Sequence, residues 1–248
     1  MNKILQLCLD NAKRERQVIN MVRNEAEATV YIYDVIDPYW GISAKIVIAD
    51  IAAASDATVL HIRINSPGGN VFESRAIIEA IKRFAGKTIA HIDSLAASAA
   101  TSVALACDEV EISDGGFFMI HPASGSAYGD KNDLRKRADL LEKLEATIAA
   151  EYAAESGQEL DQIVSWMDAE TWFTAAEAIA AGFVDRLQST AKVDNTYNLA
   201  AFAKAPAAIS APPAPVAVAA PVLGPEPIVA ASCMKQANAN RLALLQAL

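Results

Sequence analysis

A chain of 248 residues, 53% of them hydrophobic, is long enough for one well-buried domain of roughly 150 to 200 residues with extensions. Its formal net charge of −9 argues against nucleic acid or an anionic membrane as the main partner. Three widely spaced cysteines (Cys8, Cys107, Cys233) form neither a disulfide framework nor a metal-ligand pattern, and no apolar run approaches the ~18 residues of a spanning helix, so a protein of the reducing cytoplasm is expected.

Residues 1–27 read as a leader, helical or loosely ordered, with Ile4, Leu5, Leu7 and Leu9 too irregular to define a face. The apolar run there is short and broken by Asp10, so no signal peptide is expected. From residue 28 the pattern becomes regular. Ala28 to Ile36 is a predicted strand stopped by Asp37-Pro38, Ile42 to Ala54 a helix, and Ala57 to Ile64 a second strand. The loop Asn65-Ser66-Pro67-Gly68-Gly69-Asn70 follows, then an amphipathic helix from Val71 to Ala85. Thr88 to Ile92 is a buried strand leading into Asp93-Ser94-Leu95-Ala96-Ala97-Ser98-Ala99-Ala100-Thr101, and Ser102 to Cys107 reads as a buried helix. Short strands at Glu109 to Ile112 and Phe117 to Ile120 precede His121-Pro122. A long helix from about Asp130 to Glu155 carries the apolar stripe Leu134, Leu141, Leu144, Ile148 and Tyr152. Helices at Gln158 to Met167 and Ala175 to Ala181 close the domain near residue 188. Strands alternating with helices spell a mostly parallel sheet covered by helices, an α/β architecture.

Composition changes near residue 189. Seven of the ten prolines fall between Ala203 and Ser232, so residues 189–248 are expected to be an Ala/Pro-rich flexible tail ending in a short helix. Such a tail would be dispensable for chemistry and would serve delivery to a partner.

Three groups of residues carry the chemistry. Ser98 lies at a strand-to-helix turn with alanine on both sides, where small neighbours let one hydroxyl project, as glycines do in a nucleophile elbow. The helix beginning there aims its free N–H groups at the place an oxyanion would form. An ordinary N-cap serine would account for the same nine residues. Of the three histidines, His61 and His91 sit within strands and read as structural, whereas His121 ends a strand before a Gly-bearing loop, the position for a general base to Ser98. An acid to orient that imidazole is available at Asp168 or Glu170, beside Trp172 and Phe173. The Gly68-Gly69 pair allows close backbone approach with N–H groups turned outward, and no nucleotide-binding glycine pattern is present.

Read together, Ile64-Asn65-Ser66-Pro67-Gly68-Gly69, Ala96-Ala97-Ser98, Met119-Ile120-His121, Gly157-Gln158 with Ile163, Ala176-Glu177-Ala178 and Gly182-Phe183-Val184-Asp185 resemble the Clp protease proteolytic subunit family over about residues 28–187. The resemblance implies a ClpP/crotonase-like fold of repeated β-β-α units and a serine endopeptidase. It implies Ser98 as nucleophile, His121 as base, and the N–H groups of Gly69 and Ala99 as the oxyanion hole. The substrate would pair with Gly68-Gly69, with no metal or cofactor, in a ring-forming homo-oligomer. Aligning back from Gly182 places Glu170 where the family carries its aspartate, with Asp168 as the alternative acid. The tail and the Asp168-to-Phe173 wording look more like the Clp-related head maturation proteases of tailed phages and prophages. That implies capsid and scaffold proteins as substrates, in the host cytoplasm or inside the prohead. The competing readings are a peptidase fed by an ATP-dependent unfoldase, a non-catalytic assembly scaffold, and an acyl-CoA enzyme of the same fold, which would not need Ser98.

Overall fold

The computed structural model describes residues 3–11, 21–24, 26–188 and 197–206. After helix α1 (Lys3–Asp10), strands β1 (Met21–Asn24) and β2 (Glu27–Ile32) pair antiparallel at one sheet edge. Then α2 (Ala44–Ala53), β3 (Val59–Ser66), α3 (Val71–Lys82), β4 (Lys87–Ala97) and α4 (Ala99–Ala104) alternate, and β2, β3 and β4 pair in parallel. The strands β5 (Glu109–Ile112) and β6 (Phe117–Ile120) are followed by the long α5 (Lys131–Ser156) and by α6 (Leu160–Asp168). Finally come β7 (Thr171–Thr174), α7 (Ala175–Ala180) and β8 (Arg186–Leu187). The sheet runs β1-β2-β3-β4-β5-β8, with β6 on β4 and β7 antiparallel to β6. The expected mostly parallel, helix-covered sheet is the architecture found.

Alternation along the strands decides which face is covered. Val30, Ile32, Leu60, Ile62, Ile64, Ala90 and Ile92 are buried in the core formed with α2, α3 and α4. Their neighbours Thr29, His61, Arg63, His91 and Glu111 lie half-buried on the opposite face. Burying such an aliphatic side chain contributes roughly 1.5 to 3 kcal/mol, so a one-residue slip of register would invert the whole pattern.

One feature of β4 places the site. Ile89–Ile92 pair with β5, but Leu95–Ala97 pair with β6, so the strand changes neighbour along its length. On its other side Ser66 pairs with Ala96 after a register shift beyond Ile64. Asp93 to Ala97, expected as part of the turn, are therefore strand, and helix α4 starts at Ala99 rather than Ser102. Alanine has little intrinsic strand preference; pairing on both sides overrides it. Strand β7 also went unpredicted, because four residues of mixed polarity show no period.

The chain ends differ from expectation as well. Leu7 and Cys8 of α1 are buried with Tyr197, Leu199 and Phe202 against Val35, Leu95, Ala97 and Met119. The Asn11 side-chain amide donates to the carbonyl of Asn198 at 3.0 Å and its oxygen accepts from the Asn198 N–H at 2.8 Å. Residues 197–206, placed by composition in the flexible tail, thus pack on the domain, because three large apolar side chains are concentrated just ahead of the proline run. The rest of the tail, 189–196 and 207–248, and its expected terminal helix lie outside the described residues, as do residues 12–20 of the leader.

Candidate active site

Because β4 and β6 are adjacent and parallel, they end at the same edge of the sheet. Ala97 is opposite Met119, so Ser98 and His121 leave the sheet side by side. The Ser98 N–H donates to the Met119 carbonyl at 2.8 Å, fixing the turn to the strand that carries the histidine. The hydroxyl Oγ of Ser98 then lies 2.8 Å from Nε2 of His121. The ends of strands in parallel sheets are where such sheets expose reactive groups.

Ser98 adopts φ 55° and ψ −126°, a conformation that costs an ordinary residue about 1 to 3 kcal/mol. Among the described residues, the non-glycines with positive φ are Ser98 and Glu170. Both are sequence candidates for this site. Surrounding bonds hold the serine there. The Thr101 hydroxyl donates to the Ser98 carbonyl at 2.5 Å, so its oxygen accepts from the Tyr152 hydroxyl of α5, also 2.5 Å away. Burial raises the Tyr152 phenol above its ordinary value and keeps it a donor.

The glycine loop packs directly on this turn. A Cβ on Gly68, at φ +86°, would lie 2.4 Å from the Ala97 carbonyl oxygen, 2.9 Å from Ser98 Cβ and 3.0 Å from the Ala99 nitrogen. The Gly68 N–H is taken by Ser66 Oγ at 3.1 Å, and that hydroxyl donates to the Asp34 carbonyl at 2.6 Å. Gly69 forms a parallel bridge with Ile36, in which the Gly68 carbonyl and the Asn70 N–H bond Ile36. That alternation turns the N–H of Gly69 the other way, toward the cleft it lines with Ser98, Ala99 and His121. At the first position of α4, the Ala99 N–H has no carbonyl one turn back to bond.

Other groups are accounted for elsewhere. His61 Nδ1 lies 2.8 Å from His91 Nε2, with Glu27 and Glu111 at the two ends of the pair, and His61 and His91 line a different depression, on the half-buried sheet face. Burial lowers His91, partly offset by Glu111. Arg63 and Tyr33 both hold the fully buried Asp93 carboxylate, which removes it as an orienting acid. Burial pushes the Cys107 thiol up to about 12, so it is no rival nucleophile.

The two acid candidates part company. Asp168 ends α6 in solvent, and its charge, after burial, helps hold Glu145 of α5 above the ordinary carboxylate range. Glu170 is 9% exposed, and its oxygens accept from the backbone N–H groups of Ala203 (3.2 Å) and Lys204 (2.6 Å). The preceding residue, Phe202, lies edge-to-face on the His121 ring at 5.5 Å and on Trp172 at 5.7 Å. Thr101, Tyr152 and Phe202 carry no sequence signal for a role in this site, and Ser66 enters only through the resemblance of the glycine loop.

The Clp protease family profile matches residues 11–191. The chain is 31% identical over 145 residues to an ATP-dependent Clp protease proteolytic subunit 3 of Rhodococcus jostii, covering 56% of this chain and 70% of that protein. It is 27% identical over 152 residues to subunit 1 of Leifsonia xyli, covering 60% and 76%. Among solved structures, a ClpP1 mutant from Listeria monocytogenes superposes with a TM-score of 0.59 at 23% identity, covering 65% of this chain and 91% of that one.

Proposed function

The chain belongs to the Clp protease family and is a serine endopeptidase, and from that premise we propose that Ser98, His121 and Glu170 carry the reaction. Ser98 Oγ attacks the substrate carbonyl carbon while His121 Nε2 accepts its proton. The N–H groups of Gly69 and Ala99 hold the oxyanion, each worth about 3 to 4 kcal/mol of barrier in comparable sites. The same imidazolium returns its proton to the leaving amine, and water repeats the sequence on the acyl-enzyme. An extended substrate strand lies against the loop at Gly69, since the Gly68 N–H and carbonyl already bond Ser66 Oγ and the Ile36 N–H. The observation carrying this reading is the 2.8 Å Ser98–His121 contact made by a serine in a strained turn.

Gly68→Ala tests the packing of loop on turn. With a methyl group 2.4 Å from the Ala97 oxygen, the loop or the turn must move. A displacement near 1 Å at the reacting groups costs on the order of 100-fold in rate. We expect that loss in kcat with a lowered melting temperature; peptide hydrolysis at the parental rate would refute the close fit.

The reading extends to a ring-forming homo-oligomer assembled through α5. Only Ala149 and Tyr152 of this helix are buried in the protomer, and Leu134 is 49% exposed. Leu141→Asp is expected to lower both oligomer mass in light scattering and cleavage rate; an active monomer would remove this role.

For substrates, we infer capsid and scaffold proteins of a phage prohead, processed in the host cytoplasm or within the particle. Support comes from the Ala/Pro-rich residues beyond the family match, which ends at 191, and from the Asp168-to-Phe173 wording. Among the described residues no helix is long and apolar enough to cross a membrane. The names of the relatives favour a second reading, a subunit fed by an ATP-dependent unfoldase. Purified protease should process assembled proheads without ATP, and Ser98→Ala protease should not. Processing that requires ATP and an unfoldase would select the second reading.

A further inference from the structure

We propose that residues 197–206, clasped by α1, form a wall of the catalytic cleft whose Phe202 positions the His121 ring and whose backbone positions Glu170. Both elements, α1 and residues 197–206, lie outside the residues matched by the family profile, 11–191.

Leu7 of α1 and Phe202 line the same cleft as Gly69, Ser98, Ala99 and His121. Three consecutive residues then reach the two partners of the serine: Phe202 touches His121, and Ala203 and Lys204 donate their N–H groups to Glu170. The wall is anchored away from the reacting atoms, by the Tyr197 hydroxyl on the Asn65 carbonyl at 2.5 Å and by the Asn198–Asn11 pair. Phe202 is only 8% exposed, held edge-on between His121 and Trp172. An imidazole that must take a proton from one atom and return it to another gains from a fixed ring plane, and the edge-to-face contact with Phe202, itself braced by Trp172, restricts that plane. A plug resembling substrate would instead fill the space between Ser98, Gly69 and Ala99, yet that cleft stays open.

This inference rests on the Ser98–His121 reading. The test uses the full chain with Phe202→Ala, Phe202→Leu and Ser98→Ala, followed by steady-state hydrolysis of a short fluorogenic peptide and by thermal melting. For Phe202→Ala, kcat should fall about tenfold with KM within twofold of parental, and Phe202→Leu, which restores most of the volume, should recover most of the loss. With Ser98→Ala inactive, an unchanged kcat in Phe202→Ala overturns the wall alone. A rise in kcat/KM would make Phe202 a plug and overturn it too. So would a loss matched by the fraction unfolded and not recovered by leucine. Activity in Ser98→Ala would overturn the site reading itself.

Discussion

Ser98→Ala, His121→Ala and the double variant are expected to be equally inactive, each on the order of a millionfold below the parental kcat, with the fold retained. The two groups act as one unit. Without the hydroxyl there is no nucleophile, and without Nε2 at 2.8 Å nothing takes its proton, so the second loss adds nothing to the first. Structure should survive, because alanine at position 98 removes a half-buried hydroxyl while the backbone bonds of the turn, Ser98 N–H to Met119 and Thr101 to Ser98, remain. Peptide hydrolysis measured beside circular dichroism reads both halves of this expectation. A folded His121→Ala protein with a rate near parental would move the base elsewhere.

The second large effect separates the acids. Glu170→Gln is expected to cost at least 100-fold in kcat, within the range seen when an amide replaces a triad carboxylate, whereas Asp168→Asn stays within twofold. The two oxygens of Glu170 each accept a different backbone N–H, from Ala203 and Lys204. A glutamine offers one acceptor oxygen and one NH2, so one of those N–H groups would face a donor, and the segment carrying Phe202 would shift with it. Asp168 is solvent-exposed at the end of α6, and an amide there is tolerated. Rates in the reverse order would transfer the role to Asp168.

Much of this arrangement is legible along the chain because it is local. The strands at 109–112 and 117–120 appear at their predicted bounds, and a serine between small residues and a histidine closing a strand are patterns within a few positions. What is not legible depends on contacts far apart in sequence. Asn11 and Asn198 are 187 positions apart, and the three apolar residues Tyr197, Leu199 and Phe202 are diluted by the alanines and prolines around them. A window average therefore reads tail where the chain packs. The extension of β4 through Asp93–Ala97 was hidden for a related reason: the alanines there are strand only because β3 and β6 flank them. The contrast between Asp168 in solvent and Glu170 under the 203–204 backbone is likewise invisible in sequence, where two carboxylates two positions apart look alike. The expectation that everything past about residue 190 is dispensable for chemistry does not hold for 197–206 under the wall proposed above.

Covalent labelling tests most directly whether Ser98 is the nucleophile activated by His121. Full-length protein treated with a fluorophosphonate and analysed by peptide mass spectrometry should carry one adduct, on Ser98, formed far more slowly in His121→Ala. An adduct on any other residue, or a protein that cleaves peptide with Ser98 unmodified under saturating reagent, would contradict it.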